Sequence, residues 1–332
     1  MLNGKHSMIK AFVFGKFMPF HKGHQAMIAF AAMHCDELIV VPCVSDRESL
    51  PEILRKAWIE ETFAANTKIK VSLLNYMEDE LPNSSISSEA LSKLWAEKFK
   101  SILPDVNLLI TSEPYGEFVA NYMGIKHLPF DLSRTEVPVS ATKIRNNPYE
   151  NWDFLPDAVK PYYQRKVVIL GTESTGKTSL AEYLSTYFNA ALVREMGREL
   201  IPDSEKFEPE DLERVAAAHQ RETELAIQSL KPLIVMDTDI HITQSYAFYK
   251  FGKYLNLPEA WYRTQKADLY LYLPVETPYV QDGTRLSKNE RDELDQCHID
   301  TLKKFELPYE RLDIDFNLRA ECSVKRILEM FN

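Results

Sequence analysis

Residues 9–24 read IKAFVFGKFMPFHKGH: an apolar run that stops at Gly15, then two histidines three apart with a glycine between them. A short run rich in β-branched and aromatic side chains has the character of a buried strand. Where such a strand passes through a glycine turn into a helix, the helix's first N–H groups are free and its positive dipole end faces the gap. His21 and His24 can share one face of that helix. Zinc would need a third and usually a fourth ligand, and the neighbourhood offers only Lys16 and Lys22, which repel cations, and the solitary Cys35. Phosphate fits better. Gly15 supplies the turn, and imidazole N–H donors with Lys16 complete a cradle. With no Ser, Cys or acid placed as a nucleophile, these groups would stabilise charge on an α-phosphate and a departing pyrophosphate. The implied chemistry is adenylyl transfer.

Outward from this stretch, apolar runs at 38–44 (LIVVPCV), 69–74 (IKVSLL) and 106–111 (VNLLIT) alternate with helical patterns such as 88–102. That alternation predicts a parallel α/β sheet. At 146–164 the composition changes to NNPYENWDFLPDAVKPYYQ, rich in proline and aromatics. The junction is placed at 151–164, between a domain at 1–150 and another at 165–332. A second alternating series follows: KVVIL (166–170), AALV (190–193), PLIVMD (232–237) and DLYLYL (268–273).

After KVVIL comes GTESTGKTS, residues 171–179, which matches G-x-x-x-x-G-K-[ST] in the strand-to-helix context that motif requires. Gly171 and Gly176 let the backbone wrap phosphates, with Ser174, Thr175 and Ser179 alongside. Lys177 reaches the β- and γ-phosphates, and the Thr178 hydroxyl ligates Mg²⁺. Downstream, PLIVMDTD ends a strand in two acids. Asp237 is positioned as the second Mg²⁺ ligand, and Asp239 as a ribose ligand or a helix cap. Glu195 and Arg198, in REMGRE, follow the second strand and should reach the same sheet edge. The segment VQDGTRLSKNERDEL (280–294) reads as a lid that brings Arg285 over transferring phosphate; Lys288 and Arg291 fit either the lid or a solvated charged helix.

Composition narrows the partners. A formal net charge of -10 over 332 residues argues against general binding of nucleic acid or anionic membranes. Four scattered cysteines without C-x-x-C spacing suit reduced thiols. The N-terminus lacks a secretory apolar core, and no stretch approaches the ~20 apolar residues of a membrane span. The expectation is a cytoplasmic protein acting on small molecules, without nucleic acid or membrane insertion; oligomeric state is not set by these features.

An H-x-G-H half followed by a P-loop half resembles the NadR-type bifunctional enzymes, a nicotinamide mononucleotide adenylyltransferase joined to a ribosylnicotinamide kinase. The resemblance runs from about residue 9 to 330 through GKFMPFHKGH, TSEPYGEF, VSATKIR, GTESTGKTS, MDTD and VQDGTR. It implies a Rossmann-like nucleotidyltransferase domain followed by a P-loop kinase domain, with ATP as co-substrate, Mg²⁺, and nicotinamide riboside and its mononucleotide as substrates. VSATKIR (139–145) matches the family's second nucleotidyltransferase signature: Ser140 and Thr142 at a helix start can donate to phosphate, and Arg145 adds charge one turn on. Ser112, Glu113, Arg55 and Trp58 match positions implied to contact the dinucleotide. Trp58 would stack on nicotinamide, with core packing as the alternative. In the kinase half the resemblance assigns Lys177 and Arg285 to charge stabilisation, and Asp237 is read as metal partner with Glu195 as base. Some relatives carry an N-terminal helix-turn-helix and act as repressors. With about eight residues before the first strand, that role is not carried over. Competing readings are a phosphopantetheine adenylyltransferase fused to dephospho-coenzyme A kinase, which usually has T-x-G-H and lacks the arginine found as Arg145, and a nucleotide sensor coupled to a riboside transporter, against which the intact motifs speak.

Overall fold

A computed structural model describes residues 8–82, 89–201, 206–275 and 287–331. The chain forms two compact units, Met1–Lys160 and Pro161–Asn332. In the first, strands β1 (Lys10–Gly15), β2 (Glu37–Ser45), β3 (Ile69–Val71), β4 (Leu74–Tyr76), β5 (Leu108–Thr111) and β6 (Lys126–Pro129) form a parallel sheet. Its order is β3-β2-β1-β5-β6, with β4 extending β2. The second unit holds β7 (Arg165–Leu170), β8 (Ala191–Val193), β9 (Leu233–Asp237), β10 (Leu269–Tyr272) and β11 (Glu310–Arg311), all parallel, in the order β11-β10-β7-β9-β8.

The strand sequences explain the layering. β1 buries four consecutive residues, Ala11 to Phe14, and β9 buries all five of its own, as continuous apolar strands do when helices cover both sheet faces. On one face of the first sheet Phe12, Phe14 and Phe99 pack with Leu109, the Phe14 and Phe99 rings 4.5 Å apart. The second core is aliphatic around Val167, Ile169, Leu184 and Val235. Both sheets match the expected tandem parallel α/β class. The apolar run at 69–74 divides into β3 and β4, and β6 and β11, which are short edge strands with polar residues, were not anticipated from the pattern.

In both units the first strand has its neighbours on opposite sides supplied by different halves of the unit, so its C-terminal end opens into a crevice. At that end of the first sheet the helix Gly116–Met123 starts in close contact with Thr111: a Cβ on Gly116 would lie 2.0 Å from the Thr111 Oγ1 and 2.8 Å from His127 Nε2. Among the described residues no helix is long and apolar enough to cross a membrane. Replacing Gly116→Ala should overpack this corner and cost about 2 kcal/mol of stability, read as a lowered midpoint in urea unfolding with unchanged m-value.

Candidate active sites

The first site is built where β1 releases the chain. The loop from Lys16 to His21 is anchored by the buried rings of Phe17 and Phe20. His21 is extended (φ -144°) and caps the helix Lys22–Met33, its Nδ1 accepting from the His24 N–H at 3.4 Å. That bond leaves the His21 proton on Nε2, available as a donor. The two imidazoles stack with centroids 3.6 Å apart, and the Phe17 ring meets His24 edge-on at 4.8 Å. A Cβ on Gly23 would stand 3.0 Å from the His21 ring, so the glycine of H-x-G-H is what permits the stack.

Electrostatics decide how this pair can act. Burial first, and then the Arg134 charge, lower the His21 pKa to about 3. Burial, His21 and Arg134 likewise push His24 well below its ordinary value. Both rings are therefore neutral hydrogen-bonding groups, and positive charge at the site falls to Lys16, Arg145 and Arg134. Ser112, Glu113, Ser140 and Thr142 line the same cavity as His21 and His24. Ser140 caps the helix Ala141–Asn146, and Arg145 donates to the Met18 carbonyl and to Thr142 Oγ1, joining the two signatures.

Two lining residues, Asp131 and Arg134, were not found from sequence. The Asp131 carboxylate accepts from the N–H groups of Thr135, Glu136 and Val137 at 2.8–3.2 Å, shaping the loop that carries Arg134, which pairs with Glu113 at 2.7 Å. The available signal was the Asp131 turn in DLSRT, of the kind in which Asp bonds backbone a few residues on.

Arg55 and Trp58 are corrected. Arg55 is 0% exposed. It donates to the Lys16 carbonyl (3.0 Å), Glu48 (2.6 Å) and the Leu50 carbonyl (2.8 Å), while Glu48 also pairs with the Lys16 amine at 2.9 Å. It ties the phosphate loop to the helix Glu52–Thr62 and has no surface for a dinucleotide. Trp58, on that helix, is 4% exposed and takes the core-packing alternative.

The second site lies at the ends of β7 and β9. Gly171 adopts φ +138°, and a Cβ there would meet the Leu273 carbonyl at 2.6 Å. Gly176, at φ +90°, lies under the Phe316 ring. Ser174 also has positive φ (62°), and Thr175 donates to the Thr172 carbonyl at 2.9 Å. Lys177 begins the helix Lys177–Tyr187 with its amine on the same carbonyl at 2.8 Å, and Thr178 and Ser179 are exposed in the first turn. Buried Arg319 donates to the Thr175 carbonyl at 3.2 Å, bracing the loop from the far end of the chain; sequence reasoning missed this residue and Phe316.

Thr178 Oγ1 donates to Asp237 Oδ2 at 2.6 Å, which places two hard oxygen ligands within one coordination sphere and fits Mg²⁺. Among the described residues no group of three or more His, Cys, Asp or Glu forms a metal cage, so a Mg²⁺ here would take its remaining ligands from nucleotide and water. Glu195 lines an adjoining cavity with Glu173, His219 and Thr238. Asp239 is corrected from ribose ligand to cap: it is 1% exposed, starts the helix Ile240–Phe251 by accepting from the His241 N–H, and pairs with His241 Nδ1 at 2.6 Å. Burial opposes its charge, but His241 holds the carboxyl below its ordinary pKa, and Asp239 in turn raises that of His241. Arg285 lies outside the described residues; Arg198 falls in the short helix Gly197–Leu200, and its side chain is also outside them. Lys288 is exposed and Arg291 buried, donating to the Val275 carbonyl at 3.3 Å.

Comparison with known proteins follows this division. The AAA domain family model matches residues 166–319. The chain is 29% identical over 343 residues to the trifunctional NAD biosynthesis/regulator protein NadR of Escherichia coli (strain K12), covering 96% of this chain and 82% of that protein. The similarity to that protein runs along almost the whole length of the chain. NadR of Salmonella typhimurium (strain LT2) is 27% identical with the same coverage. A crystal structure of NadR in complex with NR superposes with a TM-score of 0.72 at 23% identity, over 97% of this chain and 96% of that one. A second, in complex with NAD and AMP-PNP, gives 0.70 at 23%, over 98% and 96%.

The neutral His21 has a consequence for the stability of the fold. Between about 3 and the ordinary value of 6.5 the unfolded chain binds a proton that folded His21 refuses, so stability falls as pH falls below 6.5, by about 1.4 kcal/mol per pH unit per such group. Urea unfolding at pH 7.5 and 5.5 should show a smaller loss in His21→Asn than in wild type.

Proposed function

We propose that the chain is a bifunctional NAD-salvage enzyme. The C-terminal domain (165–332) phosphorylates nicotinamide riboside with ATP, and the N-terminal domain (1–150), joined through 151–164, condenses the resulting mononucleotide with a second ATP to give NAD and pyrophosphate. The observation that carries this reading is a pair of sites whose groups suit phosphate, the stacked His21–His24 pair and the P-loop with its Thr178–Asp237 pair, in a chain similar throughout to proteins named for NAD biosynthesis and crystallised with NR, NAD and AMP-PNP.

In the first domain the 5′-phosphate of the mononucleotide is already an anion and needs no base. One of its oxygens attacks the ATP α-phosphorus, the bond to the bridging oxygen breaks, and pyrophosphate leaves with the electron pair. His21 and His24, being neutral, donate hydrogen bonds without a proton-transfer step, while Lys16, Arg134 and Arg145 offset the charge. Ser140 and Thr142 hold the triphosphate, and Ser112 and Glu113 the nucleotide.

In the second domain Lys177 and Arg285 stabilise the transferring γ-phosphoryl group. Mg²⁺ held by Thr178 and Asp237 would neutralise charge on the β- and γ-phosphates. Glu195, facing the cavity, takes the proton of the attacking 5′-hydroxyl, and Arg198 holds substrate. The division of labour is supported by Asp237 being bonded to Thr178 while Glu195 lines the cavity. The cavity's apolar wall, including Phe207 and Tyr246, and its carboxylates suit a flat pyridinium cation. Small molecules are the partners, in the cytoplasm.

Chromatography of the purified protein with nicotinamide riboside and Mg-ATP should show NAD. Lys177→Ala should make nothing from riboside yet convert supplied mononucleotide. His24→Ala should halt at the mononucleotide, with adenylyl transfer reduced about 10²- to 10³-fold, as for loss of one transition-state donor. Untouched riboside with wild type would reject the reading and turn attention to the phosphopantetheine and dephospho-coenzyme A pair.

A further inference from the structure

His219 has no part in the chemistry above, yet its surroundings are built. It sits on the helix Pro209–Gln228, is 3% exposed, and lines the cavity that Glu195 borders. Its Nδ1 lies 3.1 Å from Gln265 Oε1. The identity of that oxygen is set by its other contacts: it accepts from the Ile240 N–H at 3.0 Å, while Gln265 Nε2 donates to Gln220 Oε1 at 3.1 Å. Nδ1 must therefore carry the proton. Burial keeps the ring neutral, against the pull of Asp239, Glu195 and the Asp237 carbonyl, which favour the cation. A neutral ring protonated at Nδ1 has a lone pair at Nε2, and that buried atom has no hydrogen-bond partner in the protein.

An unfilled acceptor on a buried polar group costs free energy. Here the cost is held in place by three side chains, His219, Gln265 and Gln220, and by the first N–H of the helix that starts at Ile240. Of the side chains that line the cavity with it, Leu212, Val215 and Ile242 carry no donor, and the hydroxyls of Thr238, Thr243 and Tyr246 do not bond it. A bound molecule with a hydroxyl would.

We propose that His219 is a substrate-binding residue of the kinase domain, its Nε2 accepting a hydrogen bond from a secondary hydroxyl of the ribose. The inference rests on the riboside-kinase reading and adds a specificity element to it. An orientation-locked acceptor rejects a sugar lacking the hydroxyl, because the lone pair is again left unfilled.

The test measures binding of nicotinamide riboside and its 2′-deoxy and 3′-deoxy analogues by calorimetry, to wild type and to His219→Phe, which keeps a ring of similar shape without the acceptor. Thermal unfolding checks that the variant is folded, and His219→Gln, whose amide oxygen can accept, tests recovery. Wild type should bind one deoxy analogue about tenfold more weakly than the riboside, the scale of one net hydrogen bond. His219→Phe should bind the riboside as weakly as wild type binds that analogue and no longer distinguish the two; His219→Gln should regain part of the difference. Riboside bound equally by wild type and His219→Phe, or discrimination retained in that variant, overturns the assignment while leaving the kinase reading intact. No binding of riboside by wild type overturns both.

Discussion

A parallel strand packed between helices on both faces can give up its chain only at its ends. In each unit the strand nearest the change of direction, β1 or β7, runs into a glycine, Gly15 as the last residue of β1 and Gly171 just after β7, and hands the chain to a helix N-terminus. The unpaired N–H groups and dipole end left there are the constraint on which both candidate sites depend. Gly23 and Gly171 are its local expression. The first lets two imidazoles approach to stacking distance, and the second lets the P-loop pass under the end of β10.

Charge is distributed around these points in two ways. At the first site the groups that would meet phosphate are accessible or kept neutral: Arg145 is exposed, Lys16 is half exposed on Glu48, and burial holds His21 and His24 uncharged. Two pairs of buried charges are matched. Arg55 with Glu48, and Asp239 with His241, meet their opposites at 2.6 Å and are further bonded to backbone. Such pairs contribute little net stability but are costly to break singly. Their effect is to fix register: Arg55 ties the phosphate loop to its neighbouring helix, and Asp239 sets the first turn of the helix behind the kinase cavity.

The legibility of the site residues divides along the same physical line. Residues whose placement is local could be located from spacing: His21, Ser140 and Gly176 each stand at the start of a helix, and His24, Thr142 and Lys177 lie in the first turn that follows. Asp237 was legible because the strand before it is an unbroken apolar run. Arg55 and Asp239 misled because a charged side chain near a ligand-binding loop has the same one-dimensional signature whether it faces the ligand or is sealed behind it. Arg134, Arg319 and Phe316 were not seen because they reach their sites from loops far along the chain.

By itself, then, the sequence determined two α/β units, their parallel sheets and the position of each glycine turn that hands a strand to a helix, since all of these follow from periodicity and from residues adjacent in the chain. Tertiary structure alone decided which charges are exposed and which are neutralised by burial. It also decided that Trp58 packs inward, and that Gln265 and Gln220 lock the proton on one nitrogen of His219. These depend on desolvation and on contacts between segments 45 residues or more apart, which leave no periodic trace in the order of amino acids.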